Sequence, residues 1–146
     1  MSQANIDASR RVIEEAFSGG RLEVLDEVCA EDCVSHDPLT GDQGLAEMKH
    51  SISMYRDAFP DLTFTVDDAF AADDKVVMRW TGSGTFENEF MGLQPTHEKG
   101  SPIHGISIDR FDENGKLVET WGQWETLTLM RDIGAIPEAA SAGAPG

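Results

Sequence analysis

Residues 101–111 read Ser-Pro-Ile-His-Gly-Ile-Ser-Ile-Asp-Arg-Phe, residues 112–115 read Asp-Glu-Asn-Gly, and residues 116–128 read Lys-Leu-Val-Glu-Thr-Trp-Gly-Gln-Trp-Glu-Thr-Leu-Thr. Asp-Glu-Asn-Gly between two runs of alternating apolar residues predicts a hairpin, because Asn and Gly accept the left-handed backbone of a tight turn. A four-residue turn sets Phe111 opposite Lys116, which gives the two strands fixed faces. One face carries Ile103, Gly105, Ser107, Asp109 and Phe111 with Val118, Thr120, Gly122 and Trp124. Small residues, an aromatic and a carboxylate together suit a pocket wall with room for a ligand. The other face carries His104, Ile106, Ile108 and Arg110 with Leu117, Glu119, Trp121, Gln123 and Glu125. Its cluster of Ile106, Ile108, Leu117 and Trp121 predicts a subunit interface, a homodimer formed through the outer sheet face. A bulge at Gly105 would carry His104 to the pocket side instead.

Working back along the chain, residues 75–85 form a β-rich run with Val76, Val77, Met78 and Trp80, preceded by the turn Asp73-Asp74. Phe64 and Val66 alternate with threonines and mark another strand. Before Pro60 the period is helical. Leu45, Met48, Ile52, Tyr55 and Phe59 follow 3-4-3-4 spacing. A first helix is predicted from Ile6, Ile13, Ala16 and Phe17, stopped by Gly19-Gly20, and a short second one from Leu22, Leu25, Val28 and Cys29. Residues 33–38 are extended until Pro38 breaks them. Residues 86–100, with glycine, proline and charges, predict a long loop, and 129–133 a last helical turn. Residues 1–137 are expected to form a single domain, and the Ala, Gly, Ser and Pro of 138–146 a disordered tail.

Helices followed by an antiparallel meander give the α+β class. The expected architecture is a cone-shaped α+β barrel, three N-terminal helices packed on a curved antiparallel sheet. Such a cone has an open mouth and holds one small apolar ligand.

The 146 residues carry 11 Lys+Arg against 27 Asp+Glu, a formal net charge of −16. That balance argues against nucleic acid and against an anionic membrane surface, both of which require basic side chains. The opening Met-Ser-Gln-Ala-Asn-Ile-Asp has neither basic flank nor apolar run, so no secretion signal is read and a cytoplasmic location is expected. Cys29 and Cys33 are spaced Cys-x-x-x-Cys, not the redox Cys-x-x-Cys, and are expected as reduced, buried thiols. His36, His50, His97 and His104 form no short metal-binding unit, so no metal is expected. Phosphate-cradling glycine motifs and a Gly-x-Ser-x-Gly elbow are missing too, which predicts no cofactor and no serine hydrolase.

Five segments carry a family likeness: Ala-Glu-Asp-Cys-Val-Ser-His-Asp-Pro at 30–38, Ala-Phe-Pro-Asp-Leu at 58–62, Asp-Lys-Val-Val-Met-Arg-Trp-Thr-Gly-Ser-Gly-Thr at 74–85, Gly-Ile-Ser-Ile-Asp-Arg-Phe at 105–111 and Gly-Lys-Leu-Val-Glu-Thr-Trp at 115–121, with Ile133-Gly134 closing the pattern. The chain resembles the SnoaL-like polyketide cyclase family. That family belongs to the cone-shaped superfamily that includes ketosteroid isomerase, the nuclear-transport-factor-like proteins, scytalone dehydratase and limonene epoxide hydrolase. The resemblance implies that Asp37 stands where the isomerase keeps its general base, and that His36 matches a histidine at the cone mouth of cyclases. Ser107 falls where the isomerase has a protonated aspartic acid and cyclases a histidine. Gly122 falls where cyclases carry a catalytic aspartate. Val12 and Ile13 stand where the isomerase has a tyrosine donor.

The expected activity is cofactor-independent acid/base catalysis on a hydrophobic, polyketide- or terpenoid-like small molecule, by cyclisation or isomerisation. A carboxylate in a dry cavity gains basicity. Asp37 with His36 is the candidate base. Asp109 or Glu125 is the candidate proton source, the latter in place of the acid absent at Gly122, and His104 a further base if Gly105 bulges. Each has a plainer reading: a turn for Asp37 before Pro38, neutralisation of Asp109 by an arginine such as Arg79, an exposed strand end for Glu125, an outward ring for His104. Tyr55, Phe59, Trp80 and Trp124 are candidate ligand contacts or plain core, and Ser107 and Thr120 candidate partners for a ligand oxygen. Alternatives are an epoxide hydrolase or dehydratase on the same scaffold, or a non-catalytic small-ligand-binding or dimerisation module. Carboxylates converging on one apolar cavity separate an enzyme from that module.

Overall fold

The computed structural model describes residues 2–136. The tail expected at 138–146 lies outside the described residues. Helix α1 (Ser2–Arg11) runs on into a π-helical turn at Val12–Phe17, and short helix α2 (Glu23–Val28) follows. Strand β1 (Cys29–Asp37) and the short β2 (Gly41–Gln43) come next, then α3 (Leu45–Ala58). The meander consists of β3 (Thr63–Ala72), β4 (Lys75–Ser83), β5 (Ile103–Phe111) and β6 (Leu117–Trp124), and α4 (Thr126–Asp132) ends it. The periods read from the sequence locate these elements closely. Pro60 lies just beyond α3, and Asp73 takes the left-handed conformation (φ 55°) that the β3–β4 turn requires.

The six strands form one curved, unclosed sheet in the order β2-β1-β6-β5-β4-β3. Neighbours are antiparallel except β1 and β6, which run parallel. A parallel pair needs a long crossover, supplied here by α3 and the meander between them. β1 therefore sits inside the sheet beside β6, and α3 lies against the concave side.

The β5–β6 pairing is offset by two residues from that of a four-residue turn. Ser107 faces Gly122 and Asp109 faces Thr120. An offset of two preserves every face, because side chains alternate with period two. The exception is a bulge between Arg110 and Phe111, after which Phe111 pairs with Leu117. Leu117, expected on the outer face, is thereby turned inward and buried at 3% exposure.

The first helix ends tightly. The Ser18 amide reaches back five residues to the Ile13 carbonyl at 3.0 Å, and Gly20 adopts φ 75°. Arg56 of α3 donates Nη1–H bonds to the freed carbonyls of Phe17 (3.0 Å) and Ser18 (2.7 Å). The π winding turns Val12, Ile13 and Phe17 toward one interior space. At the start of α3, Glu47 folds back to accept the Gly44 amide at 2.8 Å, satisfying an N-terminal donor.

The core has two parts. One packs Ile13, Leu25, Val28, Ile52, Met78 and Leu117 between helices and sheet. The other packs Phe59, Phe86, Phe90, Leu129 and Ile133. Phe86 and Phe90 belong to the segment read as a featureless loop. They are among the most deeply buried side chains, and the Glu87 and Asn88 amides bind the Ala58 carbonyl at the end of α3. Asp61 fastens the same segment by accepting the Thr85 amide and hydroxyl, each at 2.7 Å. Cys29 and Cys33 are free and buried.

On the convex side one cross-strand row spans the sheet. Phe70 pairs with Val77, Val77 with Ile108, Ile108 with Trp121, Trp121 with His36, and His36 with Asp42. Ile106 beside this row is 53% exposed and Trp121 37%.

Candidate functional site

A cavity of about 200 Å³ lies between the two parts of the core. The π turn, α3, and the inner faces of β1, β4, β5 and β6 form its wall, with Phe86 and α4 closing it beyond Phe59. Asp37, Asp109, Ser107, Thr120, Tyr55, Phe59, Trp80 and Trp124 all border it, as the sequence reading expects of a pocket wall.

Asp37 ends β1 on its inner side. The Trp124 indole donates to Asp37 Oδ1 at 3.0 Å, while the Leu39 and Thr40 amides donate to Oδ2 at 2.9 and 3.0 Å. The turn that Pro38 enforces thus holds the carboxylate instead of merely ending the strand. Oδ1 accepts one of the two hydrogen bonds an ionised oxygen can take, leaving one position free. Tyr55 flanks it, its ring 6.4 Å from that of Trp124 and 5.4 Å from that of Phe90. Burial, and then the charge of Asp37, push the Tyr55 hydroxyl well above its usual range, so it remains a donor.

Asp109 occupies the other end, 4% exposed. It accepts the Thr120 hydroxyl at 2.6 Å, and Ser9 of α1 faces the same carboxyl. Burial raises its pKa, against which the Thr120 and Ser9 hydroxyls act in the opposite sense. Arg79 does not neutralise it. That guanidinium lies on the convex side, 3.9 Å from Asp67.

His36 and Asp37 are not brought together as an acid/base pair. Consecutive strand residues face opposite ways. Although His36 borders the cavity, its ring stacks on Trp121 of the convex face at 5.6 Å. Its Nδ1 meets Asp42 at 2.8 Å and its Nε2 meets Glu119 at 2.7 Å, and both carboxylates raise its pKa, Glu119 foremost. His104 and Glu125, unlike His36, do not border the cavity. His104 is exposed with Nδ1 3.2 Å from Thr81 Oγ1, and Glu125 Oε1 accepts the His104 amide at 2.7 Å. No bulge forms at Gly105, where the Trp80 ring lies on the backbone and occupies the place of a Cβ.

The sequence reading missed Ser9, the π turn and Phe86. The spacing Phe86-x-x-x-Phe90 is the one signal the loop offers, and neither composition nor period sets it apart.

The sequence profile of the SnoaL-like polyketide cyclases matches residues 8–133. The chain belongs to this family. Among solved structures it is similar to AclR, a proposed hydroxylase from Streptomyces galilaeus, at 26% identity over 94% of this chain and 100% of that one, with a TM-score of 0.81. It is also similar to IdmH, a proposed polyketide cyclase from Streptomyces antibioticus, at 29% identity over 89% and 98%, with a TM-score of 0.76. A SnoaL-like protein from Jannaschia sp. CCS1, at 19% identity over 93% and 95% with a TM-score of 0.82, shares the fold. None of the curated proteins matches the chain. The two similar structures carry different proposed activities on one scaffold, so the fold alone does not fix the chemistry.

Proposed function

We propose that this SnoaL-like protein is an enzyme that abstracts a proton next to a carbonyl of an apolar small molecule and closes or rearranges a ring. The observation that carries this reading is Asp37, fixed by three donors with one acceptor position free, at the edge of an apolar cavity. Asp37 takes the proton from carbon. The electron pair left behind delocalises into the carbonyl as an enolate and attacks a second carbonyl carbon of the same molecule, forming a carbon–carbon bond. The second carbonyl oxygen becomes an alkoxide and takes a proton from the carboxyl of Asp109, whose pKa burial raises. Product and substrate are isomers. Proton return from Asp37 to Asp109 through solvent closes the cycle. The family match and the similarity to IdmH support cyclisation over hydration of an epoxide.

The test uses 2-tetralone, a two-ring ketone with acidic α-hydrogens, in D₂O. NMR should show exchange of those hydrogens catalysed by the protein and reduced at least about a hundredfold in Asp37→Asn, the scale of general base catalysis. Exchange unchanged in that variant removes Asp37 from the base role.

A further inference from the structure

Cys29 and Cys33 take no part in the acid/base reading, yet the fold brings them together. Four steps along a regular strand would hold their Cα atoms about 13 Å apart. β1 is not regular there. Cys29 pairs with Leu117 of β6 and Val34 with Glu119, so five steps of β1 are taken up within the span of two on β6. The extra residues bulge outward, where Glu31 and Asp32 are exposed, and both cysteines turn inward. The Cys29 thiol donates a hydrogen bond to the Cys33 sulfur.

The span from Cys29 to Val34 is therefore about 6.6 Å along the sheet, and Cys33 lies at its end. A disulfide bridges Cα atoms about 4.4–6.8 Å apart, so the bulge has already drawn the backbone in to that range. The two thiols differ in access. Cys29 borders the cavity and keeps 5% exposure, whereas Cys33 does not border it and keeps 1%. A molecule inside the cavity thus reaches Cys29 directly and Cys33 only through Cys29.

We propose that Cys29 and Cys33 form a covalent redox site, in which a small hydroperoxide entering the cavity closes them into an internal disulfide. Donation by Cys29 lowers the pKa of Cys33, with burial acting against it, so the pair ionises there and one proton stays between the two sulfurs. Cys29 attacks one peroxide oxygen as that proton passes along the hydrogen bond to Cys33. The O–O bond breaks. The departing oxygen takes back from solvent the proton that the pair gave up on ionising, and leaves as water or an alcohol. Cys29 is now a sulfenic acid. The Cys33 sulfur attacks the Cys29 sulfur, the S–O bond breaks, and the hydroxyl leaves as water with the Cys33 proton. Two thiols have given up two electrons and two protons, and the peroxide has taken them. None of this requires Asp37 to act as a base.

The experiment treats the folded, full-length chain with hydrogen peroxide, blocks the remaining thiols with N-ethylmaleimide in urea, and reads masses. Trypsin releases residues 22–49 as one peptide holding both cysteines, so the bond is read within a single peptide. In the wild-type protein that peptide should lose the mass of two hydrogen atoms, take up no maleimide, and regain both thiols with dithiothreitol. Cys33→Ala should stop at a Cys29 sulfenic acid, trapped by dimedone. Cys29→Ala should leave Cys33 at least about tenfold slower to react, because it has no route from the cavity. The wild-type result stands even where a variant fails to fold. Both thiols still alkylated at a peroxide dose that oxidises them in urea would overturn the proposal. So would a disulfide joining two chains in place of the internal one, or Cys33 in Cys29→Ala reacting as fast as Cys29 in Cys33→Ala.

Discussion

Trp124 Nε1, on the last residue of β6, donates to Asp37 Oδ1, on the last residue of β1, across 3.0 Å. The bond joins the two parallel strands where both finish, and it aims the carboxylate. Trp124→Phe keeps the ring against Tyr55 and deletes only the donor. Hydrogen bonds to charged groups contribute about 1.5–3 kcal/mol. We expect urea unfolding to register a loss of about 2 kcal/mol and tetralone exchange to slow, because Asp37 is no longer aimed.

Asp109 makes stability depend on pH in an unusual direction for a carboxyl. Its folded-state pKa lies above the ordinary 3.8. Its contribution is therefore full below about pH 4 and is lost as pH rises through the elevated folded value. Asp109→Asn replaces the neutral acid by a neutral amide. The variant should lose this decline, so its stability relative to wild type should improve from pH 4 upward in urea titrations. Parallel curves for the two proteins would mean that Asp109 is ionised in the fold.

His36 titrates in the same sense by a different cause. Glu119 and Asp42 raise its pKa above 6.5. The clamp across β2, β1 and β6 is complete below pH 6.5 and is released as pH rises through the folded value. The imidazole Hε1 resonance should titrate above 6.5, and Glu119→Gln should bring the midpoint back down. His36→Gln should flatten the stability profile above pH 6.5 without abolishing tetralone exchange, because the ring faces away from Asp37.

Two glycines on the same wall should respond in opposite ways to alanine. At Gly105 a Cβ would enter the Trp80 ring, and Gly105→Ala should cost at least about 1–3 kcal/mol through overpacking. At Gly122 a Cβ meets nothing within 4 Å. Gly122→Ala should keep the melting temperature and weaken tetralone binding, since it fills cavity space alone.

The row Phe70–Val77–Ile108–Trp121 on the convex face is the surface through which we expect a homodimer. Sedimentation should find a dimer, and Ile108→Glu or Trp121→Glu should yield a folded monomer. At −16 per chain, two copies repel, so added salt should tighten the dimer.

The faces of the hairpin were legible because parity survives a two-residue offset. Ser107 and Asp109 thus emerge correctly as cavity residues, and Ile106 and Trp121 as outward ones. Leu117 was not legible. A bulge is set by how the strand closes on its neighbours, and the local sequence carries no mark of it. The helix 45–59 could be read because Leu45, Met48, Ile52, Tyr55 and Phe59 repeat with the helical period. His36 misleads for a simpler reason: adjacency in sequence means opposition across a strand. Phe86 and Phe90 are hidden because their burial comes from distant partners at Phe59 and Ala58.

The stitching of residues 85–88 to Ala58 and Asp61 has a thermodynamic corollary. A ceiling already bonded to the end of α3 leaves little backbone to order when a guest enters. Calorimetry should then show a heat-capacity change explained by the guest's own desolvated area, and amide hydrogen exchange of this segment should be as slow in the empty protein as in the occupied one.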